Sequence, residues 1–353
     1  ALGIDARALL EIWQQRDSEE LTPARIRLLH RRAPEQIQRA LAPFGYYRVE
    51  VEEDLAEEGD ALVARYRVEP GEPVRVSRVA IDLAGAGADS APFQELVRTF
   101  PLDEGDVLRH ALYEQGKSRF QRLALERGYL DARFREARVR VDLEAYTAGV
   151  HLRFDTGPRY RFGAVRFRQQ TFRESFLRRF LTFDEGDPYD TGALLRLQNA
   201  LTNSDYFDAV EVRPLLDARE GETVPVEVDL SARKRDRYRI GVGFGTDTGP
   251  RLSAGWERRY VNRRGHNAEL ALRLSPNDSS VRANYLIPMD DPLRDRVAIS
   301  AEVAEESTES RDNRTFSLGA NRLTAWGRWE RRYGVTYQYE DFDVADESGS
   351  SSL

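Results

Sequence analysis

The amino-acid sequence predicts α+β repeats of β-α-α-β-β order followed by an incomplete antiparallel membrane β-barrel of about seven strands. Three observations predict this. A helix-to-strand corner recurs as Gly45-Tyr46-Tyr47, Gly128-Tyr129-Leu130 and Asp205-Tyr206-Phe207, with the marker tyrosines 83 and 77 positions apart. Beyond Arg235 the hydrophobic period becomes a two-residue alternation, the mark of strands with one greasy face. The charge balance changes at the same place: residues 1–232 hold 33 basic and 41 acidic side chains, and residues 233–353 hold 20 and 19. The boundary falls at the basic run Arg233-Lys234-Arg235.

The repeats are taken first. A second marker, Asp-Glu-Gly-Asp, occurs at Asp103–Asp106 and again at Asp184–Asp187, 81 positions on. The third copy opens with an alternating strand from Tyr160 to Phe167. A short helix around Arg173–Leu181 carries Phe176, Leu177 and Phe180, and a second near Thr191–Thr202 carries the stripe Leu194, Leu195, Leu197 and Leu201. Two strands, near Phe207–Leu215 and Val224–Leu230, close the unit. The second copy fits the same order, with an opening strand at Val74–Ile81 and Leu112, Phe120, Leu123 and Leu125 in its second helix. The first copy has the helices and the strands Arg48–Glu53 and Leu62–Val68 but no clear opening strand, as though its start were trimmed. The expected division is 1–70, 71–156, 157–232 and 233–353.

In the last part, Tyr238, Ile240, Val242 and Phe244 alternate with Arg239, Gly241, Gly243 and Gly245. The beat recurs in 252–256, 268–274, 281–287, 297–303, 316–320 and 329–339. A soluble sandwich would alternate too. Two features favour a barrel: charges such as Arg239, Glu269, Arg273, Arg282 and Glu302 fall on the polar face, as a watery lumen allows, and aromatics gather towards strand ends.

Composition excludes several chemistries. The 353 residues contain no cysteine, which removes disulfide frameworks, thiol catalysis and zinc–thiolate sites. The four histidines stand at least 41 positions apart, so no local metal pair exists. A net charge of −7 argues against a nucleic-acid partner, which binds through phosphate neutralisation. No apolar run reaches the roughly 18 to 20 residues of a membrane helix. Gly241-Val-Gly-Phe-Gly245 lacks the last glycine of a dinucleotide loop and the Lys-Ser/Thr of a Walker loop. The Asp-Glu-Gly-Asp turns lack the ligand spacing of an EF-hand. No catalytic, cofactor-binding or metal residue is assigned, and no enzyme is expected.

The segment Tyr238-Arg-Ile-Gly-Val-Gly-Phe-Gly-Thr-Asp-Thr-Gly-Pro-Arg251, continuing through Trp256-Glu-Arg-Arg-Tyr-Val-Asn262 to Gly265-His266, resembles the first barrel hairpin of the TamA family. Tyr285-Leu-Ile-Pro288 resembles the end of that family's fourth strand. These are the outer-membrane subunits of translocation and assembly modules, in a superfamily that joins POTRA (polypeptide transport-associated) repeats to a 16-stranded barrel. The resemblance implies three periplasmic POTRA repeats, an outer-membrane location, a TamB-like inner-membrane-anchored partner, and unfolded outer-membrane clients such as autotransporters. About seven strands where the family implies sixteen suggests a fragment or an interrupted product.

The expected function is non-enzymatic assembly of outer-membrane proteins. Exposed sheet edges recruit an extended client by strand addition. The first barrel strand, with Tyr238, Ile240, Gly241, Val242, Gly243, Phe244 and Gly245, is the expected lateral gate, because glycines weaken it. Asp247, Gly249 and Pro250 form the first barrel turn. The alternatives are a passive polypeptide-exporting pore and a soluble periplasmic interaction protein.

Overall fold

In a computed structural model the described residues are 9–18, 21–59, 61–245, 249–308, 311–344 and 347–352. The chain forms two compact units, Ala1–Tyr160 and Arg161–Leu353.

The first unit begins with α1 (Glu11–Gln14) and α2 (Pro23–Leu41). Thr22 caps α2 by accepting from the Arg25 amide, and Pro23 stands at the first turn, where its missing N–H is harmless. Ala33, Ile37 and Leu41, at i, i+4 and i+8, bury against Leu10 and Val49. The hairpin β1 (Glu50–Glu58) and β2 (Ala61–Glu69) follows as a two-stranded sheet. No opening strand precedes them among the described residues. His30 and the Tyr66 hydroxyl lie 2.7 Å apart, so this histidine is structural.

The next five elements are β3 (Arg75–Ala84), α3 (Ala91–Arg98), α4 (His110–Glu126), β4 (Arg133–Asp142) and β5 (Thr147–Asp155). The sheet order is β3-β5-β4, with β5 parallel to β3 and antiparallel to β4. The crossover through two helices allows the parallel pair. Phe93, Phe120, Phe154 and Tyr129 interlock in the core, with the Phe93 and Tyr129 rings edge to face at 5.4 Å. Leu125, expected in the apolar stripe of α4, is exposed; the buried line runs through Tyr113, Gly116, Phe120 and Ala124. Truncating Phe154, fully buried among three aromatic rings, is expected to cost about 3 to 5 kcal/mol. A urea titration of Phe154→Ala read on the tyrosine fluorescence of residues 1–160 checks this.

The second compact unit repeats the pattern with β6 (Arg161–Arg168), α5 (Glu174–Leu177) running into a 3-10 turn (Arg178–Phe180), α6 (Thr191–Asn203), β7 (Phe207–Pro214) and β8 (Thr223–Ala232). Its sheet order, β6-β8-β7, copies that of the preceding set. Leu194, Leu197 and Leu201 are buried as expected, whereas Leu195 is exposed. The two Asp-Glu-Gly-Asp turns also match. Asp106 accepts from the Asp103 amide and Asp187 from the Asp184 amide, each at 2.9 Å, so these carboxylates serve the backbone.

After β8 comes one antiparallel sheet in strict sequence order: β9 (Asp236–Gly245), β10 (Gly249–Arg258), β11 (Asn267–Leu274), β12 (Asp278–Pro288), β13 (Asp295–Thr308), β14 (Arg311–Trp326), β15 (Trp329–Val344) and β16 (Glu347–Ser352). Among the described residues there are eight strands, against about seven expected. The eighth is rich in serine, carries no alternating apolar signal, and is held by pairing with β15 alone. Across the register, Ile240, Ala254, Leu272, Val281, Val303, Phe316 and Tyr339 form one continuous row. The adjacent row, from Arg239 through Arg282 and Glu302 to Gln338, occupies the opposite face. Ile240 and Val242 are 82% and 84% exposed, and no second sheet covers the greasy face among the described residues. A sandwich would bury that row; here Ile240, Val281, Val303, Phe316 and Tyr339 are exposed.

Candidate functional site

The three corner motifs adopt one backbone shape. Gly45, Gly128 and Asp205 have φ of 93°, 82° and 62°, the left-handed conformation that ends a helix and turns the chain into a strand. Glycine does this freely; aspartate tolerates it at a cost. The third corner therefore spends conformational energy on a carboxylate, and that carboxylate has work at the joint between repeat and sheet. Asp205 pairs with Arg233, at the exit of β8, and with Arg259, at the exit of β10, where Nε lies 3.3 Å away. Arg259 is nearly buried and also donates to the Lys234 carbonyl at 2.8 Å.

Aromatic packing completes the joint. The Phe172 ring, just ahead of α5, meets Tyr206, Phe207 and Tyr260 edge to face at 5.1 to 5.4 Å. The Tyr206 ring packs within its own repeat, as its position in the corner motif predicts, but its hydroxyl donates out of the repeat to the Gly265 carbonyl at 2.6 Å. Burial pushes the Tyr206 phenol well above its ordinary pKa, so it remains a donor. Gly265 (φ 76°) lies flat on Phe176: a Cβ built there would be 2.3 Å from the ring. Arg179 reaches the next turn of the sheet, donating to the carbonyls of Pro288 and Met289 at 3.2 and 3.1 Å. One repeat thus grips two turns of the sheet.

Replacing Asp205 by glycine keeps the backbone shape and deletes the charge. Asp205→Gly is expected to weaken the joint by about 1 to 3 kcal/mol, the worth of hydrogen bonds to a charged group. Faster amide exchange at 233–236 with unchanged exchange in α6 is the readout.

His266 supplies a pH dependence. Its Nδ1 is 3.0 Å from the Tyr285 hydroxyl, and burial followed by the nearby Arg264 and Arg179 charges lowers its pKa below the ordinary value of 6.5. The folded state therefore takes up this proton later than the unfolded state. The stability contribution is full above pH 6.5 and is lost as pH falls through and below that value towards the folded pKa. Thermal unfolding of Arg161–Leu353 at successive pH values, with His266→Gln flattening the trend in that window, checks the sign.

Beyond the joint, only three residues separate β8 from β9. Tyr238, Ile240, Val242 and Phe244 are all more than 70% exposed on one face of β9. Gly241, Gly243 and Gly245 take the other face. A Cβ at Gly243 would meet nothing within 4 Å, so this strand is thin where its neighbours are filled. β9 pairs with β10 alone, and its outer edge has no partner among the described residues. Gly249 (φ 70°) turns the chain back and Pro250 follows inside β10; Asp247 lies outside the described residues. The polar-face arginines are paired: Arg239 with Glu269 at 2.9 Å, Arg282 with Glu302 at 2.7 Å, and Arg273 with Asp278 at 3.8 Å. Those pairs depend on strand register and could not be read from spacing. Asp205, Gly265 and Phe176 were also missed as joint residues; the one available signal was aspartate in place of glycine at the third corner.

Among the described residues no group of three or more His, Asp or Glu is placed to hold a metal ion.

Comparisons with known proteins agree with this architecture. Residues 5–70 match the family model described as POTRA domain TamA domain 1, and residues 160–233 match the POTRA model described as surface antigen variable number repeat. Among solved structures, BamA from Haemophilus ducreyi lacking POTRA domains 1–3 superposes with a TM-score of 0.64 at 17% identity, covering 77% of this chain and 52% of that one. CdiB from Acinetobacter baumannii gives 0.49 at 14% identity, over 80% of this chain and 57% of that one. The chain thus spans little more than half the length of either structure. The BamA likeness shows the fold, POTRA domains followed by a barrel sheet; among the described residues that sheet is not closed. The chain resembles TamA in this order and in the type of its first domain, and it is an outer-membrane protein with POTRA repeats in the periplasm.

Proposed function

We propose that the chain is the repeat-bearing part of a non-enzymatic factor that inserts client proteins into the outer membrane, with β9 as its lateral gate. The carrying observation is the outer edge of β9, unpartnered among the described strands and thinned by three glycines in a row of alternate positions. Such an edge offers backbone N–H and C=O groups to an incoming strand, and each glycine lowers the cost of parting the strand from a neighbour by about 0.5 to 1 kcal/mol. Client folding into the bilayer supplies the driving force, so no nucleotide site is required. Residues 71–156, with the strand order of the third repeat, would be the second of three POTRA repeats, the others being 1–70 and 157–232. The free edges of β3, β4, β6 and β7 would take extended segments by strand addition. A TamB-like partner on the first repeat and autotransporter-type clients follow from the resemblance to TamA.

The absence of natural cysteine makes the test clean. A single Gly243→Cys thiol is expected to form a disulfide with a cysteine in the last strand of an arresting client during insertion. Crosslinking only to a cysteine placed on β16, the opposite edge of the sheet, would reject β9 as the gate. A passive exporting pore predicts client transit with channel conductance and no bilayer-inserted client; the pairing of Arg239, Arg273 and Arg282 with carboxylates leaves that reading without a free cationic lining.

A further inference from the structure

Residues 233–353 look electrically neutral in the sequence, with 20 basic and 19 acidic residues. The strand order sorts these charges. β9 leaves the third repeat, and antiparallel alternation returns the chain to the same end of the sheet at 257–266, 289–296 and 327–332. Together with 233–237, these segments hold thirteen basic and six acidic residues. The rest of 233–353 holds seven basic and thirteen acidic. The periplasmic end is therefore strongly cationic, and the remainder of the sheet anionic.

Pairing sharpens the contrast. Five of the six acidic residues at this end are held by arginines, as Asp236 by Arg258 at 2.8 Å and Asp295 by Arg322 at 2.6 Å. What remains, against exposed Asp290, is one exposed cation in each of the four segments: Lys234, Arg264, Arg296 and Arg328, whose side chains make no hydrogen bond or ion pair among the described residues. Exposed Tyr238 and Trp329 stand at the same end of the sheet, the place of amphipathic rings at a bilayer boundary. We infer that this end of the sheet is a cationic belt that seats on the phosphates of anionic glycerophospholipids in the periplasmic leaflet. The inference rests on the greasy face meeting lipid. Its occupant is set by continuity with that face: the first anionic groups below the hydrocarbon are lipid phosphates, and four unpaired cations placed one per connection match a planar array of them better than a single acidic peptide.

The experiment is recovery of the purified chain by flotation with vesicles of phosphatidylcholine alone or of equimolar phosphatidylcholine and phosphatidylglycerol, at low and high salt. A surface Lys or Arg near an anionic leaflet strengthens binding roughly fivefold each before screening, so an anionic preference of about tenfold or more at low salt is expected, shrinking at high salt. The variant Lys234→Gln/Arg264→Gln/Arg296→Gln/Arg328→Gln should lose most of that preference. Arg328→Gln alone, at an exposed hairpin tip where folding is not at issue, should lose a measurable part. A control, Arg273→Gln/Arg314→Gln, neutralises cations away from this end and should keep the preference. Equal recovery from both vesicles, or a preference unchanged in the fourfold and Arg328→Gln variants, overturns the belt alone. No recovery with either vesicle overturns the belt and the lipid-facing reading of the sheet together. Loss of the preference on adding an acidic peptide that floats with neither vesicle would also overturn the lipid assignment.

Discussion

Gly265→Val is expected to undock the third repeat from the sheet, at a cost of about 3 to 5 kcal/mol to the joint. Two terms add. A β-branched side chain must hold φ near 76°, and its Cβ falls 2.3 Å from the Phe176 ring, which is itself buried and has no space to retreat. Left-handed backbone in a branched residue costs about 1 to 3 kcal/mol, and overpacking a similar amount. The Tyr206 hydroxyl then loses the Gly265 carbonyl, and a buried phenol is left without its best acceptor. Hydrogen exchange should quicken in 172–180 and 259–267 while α4 and β5, in the other compact unit, stay protected. A double-mutant cycle isolates the cause. Phe176→Ala removes the ring that the new side chain strikes, so the double variant should cost clearly less than the two single changes added. Strict additivity would mean that the close approach of glycine to Phe176 is not what docks the repeat.

The second large effect is opposite in sign for stability and function. Gly241→Thr/Gly243→Thr fills the thin face of β9 with residues suited to strands, and should stabilise the sheet by about 1 to 2 kcal/mol. Space is available: a Cβ at Gly243 meets nothing, and one at Gly241 approaches only the Ser253 hydroxyl, which can rotate away. If β9 is a gate, a firmer strand should part less readily and client insertion should fall severalfold, even though the protein resists denaturant better. Insertion that is unchanged or faster in a stabilised variant would separate glycine content from gating.

The two halves of the chain were legible to different depths, for physical reasons. A two-residue beat needs no partner to be recognised, so β9 to β15 could be read directly; β16 could not, because a serine-rich strand is defined only by the hydrogen bonds β15 offers it. Helical stripes were read correctly in outline, yet Leu125 and Leu195 face solvent because a stripe of four large apolar residues is wider than the face each sheet covers. Of the corner tyrosines, Tyr129 and Tyr206 are buried packing residues. What their spacing could not tell is that Tyr206 carries a hydroxyl bond out of its own repeat.

The sequence by itself determined the repeat order, the change of period at the basic joint, the two-faced character of the strands and the absence of cysteine and clustered histidine chemistry, because each of these is carried by neighbours along the chain. The tertiary structure decided the rest: that the third repeat grips the sheet through Asp205, Tyr206, Phe176 and Gly265, that polar-face arginines are paired, and that a neutral stretch of sequence separates into a cationic end and an anionic remainder. Each of those depends on residues tens of positions apart being brought within a few ångströms, and strand pairing, not sequence spacing, sets which ones meet.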